Sequence, residues 1–101
     1  MTKESSQVRA KKQQKHINKL VCNFISKRFL LVPTDENGNI TSQNNYADLI
    51  GLSSSVLTKM KEEEGYKVPL ATIYNICQKE NISLTEFFRE FEKEYSYHIR
   101  N

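Results

Sequence analysis

The sequence predicts an all-α domain of five helices, and three observations carry that expectation. Between Gln43 and Glu62 two short apolar periodicities flank a glycine. Upstream, apolar residues recur at helical spacing from His16 to about Leu31. Downstream, Ser83-Leu84-Thr85-Glu86 is a capping box that opens a further apolar stripe.

Residues 1–14 are polar and charged, and read either as a flexible basic arm or as a frayed helix start. The first full helix is expected from His16 to about Leu31. Its inward face is Ile17, Leu20, Val21, Phe24, Ile25 and Leu31, with Asn18, Lys19, Asn23, Ser26 and Lys27 opposite. Phe29 and Leu30 fall off this stripe, so they either cover a second surface or lie beyond a fraying end. Pro33 ends the helix. The connector 32–42 (VPTDENGNITS) carries an Asn37-Gly38 turn signal, compatible with a tight loop or a very small hairpin.

The second helix is capped by Ser42 and buries Tyr46, Ala47 and Ile50. Gly51 stands where a helix needs a left-handed residue to stop. Leu52 plugs the corner, Ser53 caps the third helix, and Val56, Leu57 and Met60 form that helix's apolar face. Ala47 is small where two crossing helices come closest. Short helix, glycine turn and second helix together have the layout of a helix-turn-helix. Gly65 is a helix stop or loop residue. The fourth helix runs from about Pro69 to Lys79, burying Leu70, Ile73, Tyr74 or Ile76, and Cys77, with proline tolerated in its first turn. The fifth starts at Leu84 and runs to about Tyr95, with Leu84, Phe87, Phe88 and Phe91 inward. Residues 15–95 thus form the domain, and 96–101 an aromatic tail.

A chain of 101 residues is one small domain, whose core suits a binding face better than a deep catalytic cleft. The formal net charge of +3 is unevenly spread: through Leu31 there are eight basic residues against Glu4, and beyond it seven against eleven acids. That asymmetry suggests an anionic partner met by the N-terminal segment, although a solvated helix face has the same composition. No membrane-length apolar run and no secretion-signal core are present, so a cytoplasmic location is expected. Cys22 and Cys77 form no CxxC pair and are expected as reduced thiols, Cys77 in the core and Cys22 at an apolar edge.

The stretch QNNYADLIGLSSSVLTKMKE resembles the helix-turn-helix of the phage-repressor family, the Cro-like or XRE-type regulators. The resemblance lies at Gln43, Ala47, Gly51 and Ser53, and at the apolar positions Tyr46, Ile50, Leu52, Leu57 and Met60. It continues at Pro69-Leu70, similar to the proline that opens the family's fourth helix, and at 82–88 (ISLTEFF), similar to its usual ending. It covers about three quarters of the chain. It implies a compact five-helix, lambda-repressor-like fold and a transcriptional regulator of double-stranded DNA.

By position in the family motif, Ser54, Ser55, Thr58 and Lys59 match the base-reading sites, Lys59 being suited to guanine. Gln43 matches the residue that touches phosphate, and Asn44, Ser53, Lys61 and Lys67 are further phosphate candidates, with capping the competing role for Ser53. Lys11, Lys12 and Lys15 fit a basic arm reaching around DNA, or an ordinary solvated segment. Members commonly dimerise through the fifth helix and the segment after it, here Phe88, Phe91, Tyr95, Tyr97 and Ile99; intramolecular packing onto the first helix is the alternative. Glu62-Glu63-Glu64 after the third helix supports a different reading on the same fold, a protein-interaction module such as an antitoxin bound to a toxin or another regulator.

No catalytic constellation is apparent, and no cofactor or metal is expected. His16 and His98 are isolated from each other, no glycine-rich phosphate loop occurs, and the Cys and His spacings do not match a zinc site.

Overall fold

In the computed structural model, which describes residues 5–99 and side chains as far as Ser96, five α-helices follow one another. α1 (Ser6–Ile25) runs on through a π-helical turn, Ser26–Leu30; then come α2 (Gln43–Leu49), α3 (Ser54–Lys61), α4 (Leu70–Glu80) and α5 (Leu84–Ile99). α1 packs on α3 and α5, α2 on α3, and α4 on α5.

α1 begins well before His16. Ser5 caps it, its hydroxyl accepting the Val8 N–H at 3.2 Å, so residues 6–14 are helical. Every side chain from Ser5 to Ile17 is exposed. These turns therefore project from the body, and the molecule measures 57 × 27 × 20 Å. No apolar side chain of these turns is buried; a run of Arg, Ala, Lys and Gln, all strong helix formers, supports them, together with the Lys15–Glu64 ion pair.

The end of α1 corrects the expected core. Phe29 and Leu30 are buried, at 6% and 1% exposure, while Leu31, expected inward, is 74% exposed. The π turn is the cause. Widening the helix by one residue puts Phe29 in line with Phe24 and Leu30 in line with Ile25. A regular α-helix would instead have turned Arg28 inward; here its Nε donates to a Glu90 oxygen on α5 at 3.0 Å.

Phe24 is the hub of the core. Its ring lies edge-on to Phe29 (6.2 Å), Phe87 (5.2 Å) and Phe91 (5.6 Å), while Phe29 stacks on Phe87. Truncating one such ring to alanine typically costs about 3–5 kcal/mol, a large part of the 5–15 kcal/mol that holds a small domain together. Ile73, Ile76 and Cys77 supply the α4 side. Leu70 does not: at the first residue of α4 it is 62% exposed, and Tyr74 also faces solvent.

The connector is a miniature hairpin. Thr34 and Ile40 form an isolated antiparallel bridge, and the Asp35 carboxylate accepts the N–H groups of Asn37 and Asn39, each at 2.9 Å. Lys79 of α4 fastens it by donating to Thr34 Oγ1 at 3.2 Å. Among the described residues there is no β-strand, and no helix is long and apolar enough to cross a membrane.

Candidate nucleic-acid interface

The junction of α2 and α3 is fixed by backbone and caps before any functional side chain enters. Ser42 Oγ accepts the Asn45 N–H at 3.1 Å, starting α2. Gly51 takes φ +82, and the N–H of Leu52 returns to the Ala47 carbonyl at 2.7 Å. Asn75 of α4 donates to the Ile50 carbonyl at 3.3 Å, satisfying a group that the helix end leaves unpaired. Leu52 is buried in the corner, Ala47 is buried where the helices meet, and Ser53 Oγ accepts the Val56 N–H at 3.4 Å to start α3.

Leu57 and Met60 anchor α3 to the core, and Val56 is half-buried. The opposite side of the helix presents Ser54, Ser55, Thr58 and Lys59, all exposed. Two of these hydroxyls also serve the helix. Ser55 Oγ pairs with Ser53 Oγ at 2.9 Å, and Thr58 Oγ1 points back to the Ser54 carbonyl at 3.5 Å. Each keeps donor or acceptor capacity toward solvent.

The phosphate candidates divide. Gln43 donates its Nε2 to the Leu30 carbonyl at 2.8 Å and accepts from Lys61 Nζ at 3.1 Å. Its amide ties the end of α1 to the end of α3, a structural task that its place in the sequence did not reveal. Asn44 is exposed in the first turn of α2, and Lys67 is exposed in the loop after α3.

That loop is held against α1 by three ties. Lys19 Nζ donates to the Met60 carbonyl, left without an intrahelical partner at the end of α3, and to the Glu62 carbonyl, which also accepts the Gly65 N–H at 3.0 Å. The Cys22 thiol donates to the Tyr66 carbonyl at 3.1 Å and accepts the Tyr66 N–H at 3.2 Å. Gly65, at φ +73, lies so close that a Cβ there would sit 3.2 Å from Lys19 Cα. Glu64 consequently faces α1 and pairs with Lys15 at 2.8 Å. The pairing holds Glu64 below the ordinary carboxylate value and Lys15 above the ordinary lysine value. Lys11 and Lys67 border the same cleft, whereas Lys12 does not line it.

The candidate dimer surface is smaller than its sequence suggested. Phe91, at 3% exposure, belongs to the core of the single chain, and Tyr95 is half-buried against Phe91 (5.4 Å) and Phe24 (6.5 Å). Both side chains thereby follow the intramolecular alternative. Phe88 is half-buried and, with Leu84, Thr85, Arg89 and Glu92, lines an open depression on α5. The Tyr97 and Ile99 side chains lie outside the described residues.

The structure also reveals a polar cluster that no sequence motif marked. Tyr46 is fully buried, and its hydroxyl donates to Glu80 Oε2 at 2.7 Å. Lys79 donates to the same oxygen at 3.2 Å and lies 4.6 Å from the centre of the Tyr46 ring. Burial, then the Glu80 bond, pushes the Tyr46 hydroxyl pKa up. Cys22 and Cys77 are free, buried thiols, each raised above its ordinary value by burial.

No family model, curated protein or solved structure matches the chain, so the reading of this surface rests on its own residues.

Proposed function

We propose that the chain is a sequence-specific DNA-binding transcriptional regulator of the phage-repressor-like, helix-turn-helix kind, which reads the major groove with α3 and acts as a homodimer. One observation carries the reading: α3 turns Leu57 and Met60 into the core and leaves Ser54, Ser55, Thr58 and Lys59 together on an exposed face directly after a capped N-terminus. A helix held in this way offers its first turns to base edges, while the preceding helix rests on the backbone. Lys59 supplies the charged donor for guanine, the hydroxyls add weaker contacts, and Asn44 and Lys67 stand available for phosphate. Replacing both Ser55 and Lys59 by alanine is expected to weaken binding to a selected site by at least ~5-fold, since a good base contact is worth about 1–3 kcal/mol. The far-UV CD spectrum is expected to stay the same, because both side chains are exposed. Unchanged affinity would remove α3 as the reader.

A second reading, a protein-interaction module such as an antitoxin, draws on Phe88 and Leu84, which are half-buried beside exposed Arg89 and Glu92 on α5. Co-purification with a stoichiometric partner, together with no salt-dependent DNA affinity, would favour it.

A further inference from the structure

The open, shallow cleft between the projecting half of α1 and the loop after α3 has the chemistry of a phosphate site. Lys11, Gln14, Lys15 and Asn18 recur at helical spacing along one side of α1 and form one wall; Glu64, Gly65 and Lys67 form the other. Three ammonium groups and two carboxamides thus face a single carboxylate. The walls do not need to be assembled on binding, because Lys19, Cys22 and the close approach of Gly65 fix the loop to α1. The loop wall follows closely on the C-terminal end of α3 in the chain, Glu64 lying three residues after Lys61.

Building on the DNA-binding reading above, we propose that this cleft takes a backbone phosphate of duplex DNA, and that Glu64 occupies it in the free protein as an internal competitor. A carboxylate and a phosphodiester each present singly charged oxygens to an ammonium group, and lysine accepts either as a point charge. The Lys15–Glu64 pair is displaceable: its side chains are 59% and 75% exposed, so water and salt screen it heavily. An entering phosphate exchanges one anion for another at Lys15 and gains Lys11 and Lys67. Glu64 is then repelled by the phosphate and swings to solvent. The acidic run after α3 therefore sets affinity downward without blocking the groove face of α3. It favours sites where base contacts make up the difference.

The test uses the full chain and a fluorescent duplex of random sequence, titrated over a range of salt concentrations. Glu64→Gln is expected to bind about two- to fivefold more tightly at low salt, the range of one exposed ion pair. The double variant Lys11→Gln/Lys67→Gln is expected to bind more weakly and to show a log–log salt slope shallower by about 1, the one phosphate that the cleft holds. All three side chains are exposed, so each variant is expected to melt within roughly 5 °C of the wild type, the worth of one exposed ion pair, and this serves as the control for folding. Salt-sensitive binding by the wild type, with an unchanged slope in the double variant or no gain in Glu64→Gln, would overturn the cleft proposal and leave the DNA reading standing. A wild type that does not bind duplex DNA at low salt overturns both.

Discussion

Tyr46 combines two roles, filling the core with a large ring and joining α2 to α4 through its hydroxyl. Its bond to Glu80 is shared with Lys79, so the carboxylate has two donors and the ring has an ammonium at its side. The buried phenol strongly disfavours ionisation, and this fixes a sign. Its folded-state pKa is raised above the ordinary 10.0, so the stabilisation is complete below pH 10.0 and is lost as pH rises beyond it. Tyr46→Phe keeps the ring and loses the hydrogen bond. It is expected to be about 1 kcal/mol less stable than wild type at neutral pH, and urea unfolding should show that gap closing as pH rises toward about 11. A constant gap across that range would contradict the assignment. Nothing in the sequence marked this cluster, because Glu80, Lys79 and Thr34 read there as ordinary surface residues and meet only when α4 closes on the connector.

At the scale of elements, the two turns that shape the candidate interface depend on left-handed backbone at Gly51 and Gly65, but their surroundings differ. A methyl at Gly51 would meet only Asn75 Nδ2 at 3.6 Å, an ordinary contact, whereas at Gly65 it would meet the Lys19 backbone at 3.2 Å. Gly51→Ala is therefore expected to lose about 1–2 kcal/mol from conformation alone. Gly65→Ala is expected to lose more, because the Lys19 backbone cannot move aside as a flexible side-chain tip can. Equal losses in denaturant melts would argue against the fixed packing of the 62–69 loop on α1. The sequence made Gly51 legible, since apolar stripes on both sides required a stop there. It made the end of α1 illegible. A stripe counted at 3.6 residues per turn excludes Phe29 and Leu30, and only a π turn, which leaves no local signature, brings them to the core.

For the molecule as a whole, helix number and order were legible because capping residues and apolar spacing agreed at Ser42, Ser53 and Ser83. The dimer surface was not. Phe91 and Tyr95 share the α5 stripe with the core residue Phe87, and helical spacing alone does not say whether a partner chain or α1 covers them. The basic excess of the N-terminal half is likewise visible in the sequence, but its placement is not: the extended α1 carries Lys11 and Lys15 alongside the loop after α3. This common placement of charge and an exposed helix face underlies the proposal of sequence-specific DNA binding. Selection from a random-sequence duplex pool at two salt concentrations tests it most directly. Enrichment of a two-fold-symmetric motif, with half-sites about one helical turn apart and affinity falling steeply with salt, is the predicted result. Absence of binding at the lower salt would contradict it.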